Sequence, residues 1–476
     1  MKIFNSLTNE YFDFNTIRNK TINWYCCGPT IYNDSHLGHA RTYILFDSII
    51  RYLRTSGYKI NYGMNITDID DKIINKVIHS NNQDSNLNKF NEFIKIQETS
   101  FWDDLEALNI QKPEQILRVT DTIPDIINFI EKLILNKFAY IGTSEQVNKS
   151  IYFNVEKFNR QFHKTCLDIS NNQEPQIKNT HLDDKQNSKD FALWKADNID
   201  TIHWDSGKLN VGNGRPGWHI ECSVIMNKMF GNHVDIHSGG IDLKYPHHNN
   251  EFCQTTSYYL DSNWIQCFIH SGHLYVDGEK MSQSLGNFTT IKTILKKYSS
   301  NEIRLMFLSV KYNQHMDLNN ELIQYGVHLN KRFSNFLNSQ KQNTNKTEQL
   351  NIDKLKNELS DLLNNDFNMP EALKLLNSTI EQIYKNNFEY MNLNQIYEYI
   401  FTFLSNFGLI YKKIEINLDF INTIVEIRKE IKEIAQNADK LTKIKLFTLS
   451  DKIRDEYLEK LHVKLEDLPN NQIRFF

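Results

Sequence analysis

The sequence predicts an α/β fold with a parallel sheet, followed by an all-helical region. Three observations support this expectation. Residues 22–66 have the patterns of a strand, a helix and a second strand; a glycine-containing turn joins the first strand to the helix; and from about residue 299 apolar residues recur at helical intervals. The composition, 40% hydrophobic and 12% aromatic, is that of a globular protein.

The first strand, 22–27, alternates and contains Trp and Tyr, and the turn 28–30 (Gly-Pro-Thr) ends it. The next segment predicts a helix that stops at Gly57, because its apolar residues recur at three- and four-residue steps. Those residues are Tyr43, Phe46, Ile49, Ile50 and Leu53. Residues 60–66 predict the second strand. A βαβ unit of this kind starts a parallel sheet, which binds its ligand at the carboxyl ends of its strands.

The remaining elements follow in chain order. The polar stretch 170–188 predicts an exposed loop in an inserted region, and 268–270 and 274–276 predict short strands. Asp277-Gly278 is typical of a two-residue hairpin turn. The helical pattern then runs to the end of the chain, and the polar stretch 339–349 is expected to separate two helical parts.

Length and charge limit the classes of function. A chain of 476 residues suggests about three domains. The net charge of −4 argues against a protein that coats nucleic acid, so an RNA contact would be local. The chain begins with no charged-then-apolar leader and has no apolar run near ~18 residues, so we expect a cytoplasmic protein without a membrane partner. Six cysteines are too sparse for a disulfide scaffold and favour reduced thiols with one metal site.

The first candidate motif, His36-Leu37-Gly38-His39, stands where the first helix begins. Unpaired backbone N–H groups and the positive end of the helix dipole attract phosphate at such a position. The two imidazoles would donate to ATP phosphates, and Gly38 would let an adenine ring lie against the backbone. Taken alone, the His-x-x-His pattern favours a structural or metal-binding role over phosphate binding.

The second motif, Lys280-Met281-Ser282-Gln283-Ser284, follows the predicted hairpin. The two motifs, in this order and with these flanks, resemble the HIGH and KMSKS signatures of class I aminoacyl-tRNA synthetases. The resemblance implies that His36, His39 and Lys280 stabilise charge on the ATP phosphates during adenylation. Gln283 departs from the pattern, because the family usually has a second lysine there.

A third group of residues is suited to a metal ion. His247 and Glu251 are four residues apart, so on a helix they share a face, and Cys222 and Cys27 offer thiolates. Spacing alone does not join Cys27 to the others. Buried structural cysteines beside a surface His/Glu pair remain an alternative.

Several segments resemble cysteinyl-tRNA synthetases specifically, from Lys2 to roughly Leu308 and more thinly beyond. They are 25–32 (YCCGPTIY), 65–72 (NITDIDDK), 190–195 (DFALWK), 214–223 (GRPGWHIECS), 246–248 (PHH) and 270–273 (HSGH). In that family the positions of Cys27, Cys222, His247 and Glu251 bind one zinc, which holds the substrate thiol and separates cysteine from serine. The resemblance also implies Mg²⁺ with ATP, and L-cysteine, ATP and tRNA(Cys) as partners of a monomer.

Further residues carry over from the resemblance. Thr67, Trp218 and His237 are expected to line the cysteine pocket, and Gly38, His270, Gly272, Ser282, Gln283 and Ser284 to bind ATP. For Trp218 core packing, and for Thr67 a helix cap, stay open as alternatives.

The implied architecture is a Rossmann-like class I synthetase catalytic domain with an inserted region, then an all-helical stem and anticodon-binding domain. The expected bounds are 1–298 for the catalytic domain, with the insertion at about 110–212, then 299–338 for the stem-contact region, 339–412 for a helical bundle and 413–476 for the C-terminal anticodon-binding region. Two rival functions remain. One is a cysteine ligase that uses an amino-sugar acceptor, against which the C-terminal region counts. The other is a non-catalytic tRNA-binding protein, against which the retained motifs count.

Overall fold

A computed structural model describes most of the chain as two compact units. The first unit comprises residues 1–327, 353–374 and 406–409, and the second comprises 328–352, 375–405 and 410–476. The described residues are 1–16, 20–78, 86–162, 184–197, 202–280, 288–339, 350–386, 392–412, 418–458, 465–467 and 473–475. The domain bounds expected from the sequence stay predictions.

The strands and helices alternate in the first half of the chain, and helices predominate in the second. The strands are β1 (Lys2–Asn5), β2 (Glu10–Asp13), β3 (Thr21–Cys26), β4 (Lys59–Ile66), β5 (Gln115–Arg118), β6 (Ala139–Ile141), β7 (Ile151–Phe153), β8 (Phe191–Ala196), β9 (Trp204–Asp205), β10 (Asn213–Pro216), β11 (Val234–Gly240), β12 (Ile265–Ser271), β13 (Leu274–Val276), β14 (Glu279–Lys280), β15 (Met316–Asp317), β16 (Leu465–Asp467) and β17 (Ile473–Phe475). The α-helices are α1 (Leu37–Thr55), α2 (Asp71–Ile78), α3 (Asn86–Ala107), α4 (Ile123–Leu135), α5 (Val155–Phe162), α6 (Trp218–Phe230), α7 (Asn249–Tyr259), α8 (Ile291–Leu295), α9 (Ser300–Leu308), α10 (Asn320–Asn338), α11 (Ile352–Asn364), α12 (Met369–Lys385), α13 (Leu393–Asn406), α14 (Leu418–Gln436) and α15 (Lys440–Lys452).

The central sheet of the first unit has five parallel strands in the order β12-β11-β3-β4-β5. Its β3–α1–β4 segment confirms the predicted βαβ unit, and Gly57 follows the helix with a φ of +86°. The apolar face of α1 is buried as its spacing predicts, with Phe46 and Leu53 fully covered. Strand order reverses around β3, so a ligand site is expected where β3 and β11 end.

Three smaller sheets belong to the same unit, and the first is the antiparallel pair of β1 and β2. The inserted region forms an antiparallel sheet of five strands in the order β6-β7-β8-β10-β9. Strands β14, β13 and β15 form the third, and the turn between β13 and β14 has Asp277 and Gly278 both at positive φ, which confirms the predicted hairpin. Most of the predicted polar loop at 170–188 lies outside the described residues.

A buried arginine holds several segments of the first unit together. The guanidinium of Arg304 on α9 pairs with Asp47 on α1 and donates to the carbonyls of Leu108 (3.1 Å) and Phe407 (2.8 Å). Arg304 is fully buried, so these bonds compensate the cost of removing its charge from water.

The second unit is helical except for one hairpin that the helical pattern did not predict. Strands β16 and β17 pair antiparallel, and Leu465 on β16 packs in a small core with Ile421 and Leu458. Within the described segments, the helices include none that is long and apolar enough to span a membrane. The expectation of reduced thiols is confirmed for Cys26 and Cys267 but is wrong for Cys253, which is disulfide-bonded.

Candidate active site and metal centre

Four donor side chains converge at the carboxyl edge of the central sheet. Cys27 follows β3, Cys222 lies on α6, His247 lies in the helical turn Lys244–His248, and Glu251 lies on α7. The Sγ of Cys27 is 3.7 Å from the Sγ of Cys222, 3.6 Å from the Nε2 of His247 and 3.6 Å from the Oε1 of Glu251. The structure thus brings together the four residues that were expected to bind a metal, which we call the four-donor cage.

The four-donor cage is buried, and its charges are coupled. Burial opposes the ionisation of Glu251, but His237 and His247 lower the pKa of its carboxyl to about 2. The hydrogen bond from Cys27 lowers the pKa of Cys222 to about 6, against the effect of burial, whereas burial raises the pKa of Cys27 well above its usual range. Two of the four donors therefore favour the deprotonated form that binds a metal.

The donor set suits zinc in chemistry and spacing. Bonds of ~2.3 Å to sulfur and ~2.0–2.2 Å to nitrogen and oxygen give a tetrahedron with edges of about 3.8 Å between sulfurs and about 3.5 Å from sulfur to nitrogen or oxygen. The three distances from the Cys27 Sγ lie within a few tenths of an ångström of these values. The fourth contact, His247 Nε2 to Glu251 Oε1, is a direct hydrogen bond of 2.9 Å.

Three aromatic side chains surround the four-donor cage. His219 lies with its Nδ1 3.0 Å from the Nδ1 of His247, which leaves the Nε2 of His247 directed at the cage. His237 holds the other oxygen of Glu251 at 2.6 Å and is completely buried. Trp218 stacks on His247 at 4.4 Å and is 38% exposed, so it covers the cage from the solvent side and is not ordinary core packing.

A second set of possible ligands overlaps the first. It consists of Cys27, His237, His248 and Glu251, and shares two members with the four-donor cage. His248 uses its Nδ1 in a 2.7 Å contact with His270, and burial lowers its pKa well below the usual range, so it is neutral. This set has one thiol and the four-donor cage has two, so the cage is the softer and more zinc-like site.

The start of α1 fixes the two histidines of the first motif. His36 is the N-cap, and its Nδ1 accepts from the backbone N–H of Gly38 at 3.0 Å, while the Nδ1 of His39 accepts from the backbone N–H of His36 at 3.4 Å. Since a backbone N–H only donates, each imidazole carries its proton on Nε2 when neutral. Burial lowers the pKa of His36 to about 4 and that of His39 to about 3, so both are neutral donors at pH 7.

The expectation of free backbone N–H groups at this helix start is wrong. The N–H of Leu37 donates to the carbonyl of Thr289 at 3.1 Å, and that of Gly38 is taken by His36. A phosphate here would meet the Nε2–H groups of the histidines and not the helix backbone.

The described residues that follow the second motif lie beside the first motif. His36 forms an isolated β-bridge with Thr290, and Phe288 lies edge-on to its ring at 5.2 Å. Residues 281–287, which include Ser282, Gln283 and Ser284, lie outside the described part of the chain, and Lys280 is described only by its backbone position in β14. The segment that follows the second motif therefore lies near the first motif.

The predicted cysteine pocket and the four-donor cage share one wall. Thr67 follows β4, is buried, and pairs with Thr30 in the segment after Cys27. The Tyr43 hydroxyl donates to the carbonyl of Cys27 at 3.4 Å, and its ring stacks on His39 at 6.4 Å. Tyr43 thus links the histidine motif to Cys27, and Thr67 pairs with the segment that follows Cys27.

His270 and Gly272 were predicted to lie near the adenine, but the ring of His270 is bonded to other side chains of the protein. Both ring nitrogens of His270 have partners, Ser6 at 2.5 Å and His248 at 2.7 Å, so its predicted role is reduced to support. Gly272 accepts a hydrogen bond from the buried Arg41 through its carbonyl, and a Cβ at this position would overlap the carbonyl of Gln314. Only glycine fits there.

Sequence reasoning missed three residues of the site. Asp242 follows β11 and its charge acts on His36, which places a carboxylate beside the proposed nucleotide site. Asn65 and His219 contact Thr67 and His247, respectively. The only signal for Asp242 was its position just after Gly239-Gly240 at the end of a strand.

The match to a family model shows that the chain belongs to the class I aminoacyl-tRNA synthetases. The family model described as "tRNA synthetases class I (C) catalytic domain" matches residues 13–328. The fold agrees: a solved methionyl-tRNA synthetase from Mycobacterium tuberculosis superposes with a TM-score of 0.57 at 14% identity, covering 81% of this chain and 89% of that one.

The chain belongs to the cysteine–tRNA ligase family. It is 35% identical to the cytoplasmic cysteine–tRNA ligase of Dictyostelium discoideum, over 98% of this chain and 76% of that protein. It is also 35% identical to the cysteine–tRNA ligase of Methanococcus vannielii, over 98% of this chain and 97% of that protein.

Proposed function

We propose that the protein activates L-cysteine with ATP and transfers it to tRNA(Cys), and that a resident zinc recognises the substrate thiolate. The observation that carries this proposal is the buried four-donor cage, joined through Tyr43 to the histidine motif. Family membership supports the reaction, and the donor set supports the metal.

Cys27, Cys222, His247 and Glu251 would hold the zinc. When bound, zinc supplies a soft centre that prefers a thiolate to a hydroxyl. Shape alone separates near-isosteric amino acids by only ~1–3 kcal/mol, so such a preference would distinguish cysteine from serine without editing. Trp218, stacked over His247, would shield this end of the pocket from water.

The reaction has two steps. In the first, a carboxylate oxygen of cysteine attacks the α-phosphorus of Mg²⁺-bound ATP, the bond to the β-phosphate oxygen breaks, and diphosphate leaves. The Nε2–H groups of His36 and His39 would donate to phosphate oxygens, and Lys280 would supply positive charge. In the second, a hydroxyl of the terminal tRNA ribose attacks the cysteinyl carbonyl and AMP leaves.

The other predicted contacts remain part of this proposal. Thr67 and His237 belong to the cysteine pocket, although His237 would act through its bond to Glu251. Gly38 would let ATP approach the backbone, with Gly272, which packs against the Gln314 carbonyl, and His270 in support. The proposed contacts of ATP with the second motif are Ser282, Gln283 and Ser284.

The helical second unit is proposed to bind the anticodon region of tRNA(Cys). Its α14 and α15 carry exposed lysines that suit contacts to phosphates, among them Lys429, Lys440, Lys443 and Lys445. A monomer that works in the cytoplasm remains the proposed state.

The test is a charging assay. The purified protein is incubated with ATP, Mg²⁺, total tRNA and labelled cysteine, with labelled serine in parallel, and label on tRNA is measured. We expect cysteine label alone. Cysteine-dependent diphosphate exchange without label on tRNA would point to another acceptor, and no exchange at all would refute the proposed activity.

The metal is tested separately by measuring the zinc content of wild type and Cys222→Ala. Cys267→Ala is the matched control, because Cys267 is an equally buried free thiol outside the cage. We expect zinc to be lost from the first variant only. Equal, near-stoichiometric zinc in all three proteins would remove Cys222 from the site.

A further inference from the structure

Asn65 is a buried amide with no role in the proposed function. It is the last but one residue of β4, has no exposed surface, and lies two residues before Thr67 at the carboxyl edge of the sheet. An amide buried in a strand needs partners for its oxygen and its nitrogen, and those partners decide how it is oriented.

The partners of Asn65 fix its orientation. Its Oδ1 accepts from the backbone N–H of Gly28 at 2.8 Å and from the hydroxyl of Tyr25 at 3.0 Å. Its Nδ2 contacts the Oγ1 of Thr67 at 3.0 Å. Because the Gly28 N–H can only donate, the atom facing it is the oxygen, and the atom facing Thr67 is therefore the NH₂ donor.

This orientation sets the polarity of the Thr67 hydroxyl. The Oγ1 of Thr67 receives a hydrogen bond from Asn65, so its own proton and one remaining lone pair are directed elsewhere. Among the described residues, Asn65 is the one side-chain partner of this hydroxyl. The backbone of Thr67 is held as well, by bonds to Pro29 and Ile31.

The same amide is linked to the four-donor cage. Tyr25, which donates to Asn65, lies edge-on to His237 at 5.1 Å, and His237 binds Glu251. Gly28, its other donor, follows Cys27 directly, and a Cβ on Gly28 would overlap the Asn65 carbonyl. Asn65 thus contacts Thr67 on one side and, on the other, Tyr25 and Gly28, which adjoin the cage.

We propose that Asn65 is a positioning residue for the substrate: it holds the Thr67 hydroxyl toward the polar amino and carboxylate groups of cysteine. This inference rests on the proposed function, because it takes Thr67 as part of the cysteine pocket. Asn65 acts through Thr67 and does not itself touch the substrate.

Asn65→Asp tests the inference with little change of shape. The new carboxylate still accepts from Gly28 and Tyr25 but cannot donate, so the Thr67 hydroxyl turns to donate to it. We expect the KM for cysteine in diphosphate exchange to rise about tenfold, the value of one hydrogen bond. The KM for ATP and the zinc content should not change.

Asn61→Asp is the matched control. Asn61 lies on the same strand, four residues earlier, and its amide donates to Asn23 at 2.9 Å, away from the carboxyl edge. This variant should keep the wild-type KM for cysteine. Equal increases in both KM values for Asn65→Asp, or an effect of the same size in Asn61→Asp, would reduce Asn65 to a structural role.

A double-variant cycle separates this inference from the proposed function. If Asn65 acts through Thr67, then Asn65→Asp combined with Thr67→Val raises the KM for cysteine no more than Thr67→Val alone. Additive effects overturn the inference while cysteine activation in the wild type stands. If Asn65→Asp does not fold, Asn65→Ser takes its place in the cycle under the same criteria.

Discussion

The contact between His219 and His247 allows a prediction of metal affinity. When the Nε2 of His247 binds a metal, that nitrogen carries no proton, so the Nδ1–H of His247 donates to the Nδ1 of His219, 3.0 Å away. His219→Phe keeps a flat ring against Phe191, which His219 contacts edge-on at 5.5 Å, and removes the acceptor. The variant therefore leaves a buried N–H of a metal ligand unpaired.

An unpaired buried donor costs ~1–3 kcal/mol, which corresponds to about 5- to 150-fold in affinity. Loss of a hydrogen-bond partner behind a metal ligand typically costs about 10- to 100-fold in metal affinity, so the two estimates agree. We expect zinc to bind His219→Phe about 10- to 100-fold more weakly than wild type.

The assay is competition for zinc with a chromophoric chelator. His233→Phe is the control, since His233 is also a buried histidine but pairs with Asp235 at 3.1 Å next to the start of β11, away from the cage. Unchanged zinc affinity in His219→Phe, or an equal loss in both variants, would refute the assignment of the His247 proton.

Three further results are expected. Gln283→Lys should keep or raise the rate of diphosphate exchange, because it restores a charge beside the phosphates; a large loss would contradict the proposed role of that segment. Arg304→Met should lower the free energy of unfolding, measured in urea, by about 3 kcal/mol, because it leaves the buried Asp47 carboxylate with one partner fewer. A loss of less than about 1 kcal/mol would contradict the stabilising role of this buried ion pair. Because the pKa values of His36 and His39 are lowered in the folded protein, the unfolded chain binds more protons than the folded one as the pH falls from about 6.5 to about 4. The free energy of unfolding should therefore fall over that pH range, and it should fall less in His39→Asn. Urea titrations at several pH values test this.

Sequence patterns predicted the parts of the fold that depend on residues close together along the chain. The β3–α1–β4 unit followed from periodicity, and the Asp277-Gly278 turn from the preference of its residues for positive φ. His247 and Glu251 were paired because four residues make one helical turn. The short strands β16 and β17 were missed because three residues are too few to show an alternating pattern.

The remainder of the site depends on pairings between distant segments. Cys27 and Cys222 are 195 residues apart, so only the family resemblance joined them, not their spacing. The roles of Asn65 and His219 follow from contacts that no sequence spacing encodes. The backbone amides of α1 were expected to be free because a partner from Thr289, far along the chain, could not be foreseen.

The four-donor cage has a consequence for how the protein matures. In many small zinc modules the ligands are close in sequence, and the metal itself drives folding. Here Cys27 leaves the ribosome long before Cys222, and His247 and Glu251 follow later still. The complete set of donors exists only after β3, α6 and α7 have come together, so a metal bound there, as proposed, would enter late, once these elements have assembled.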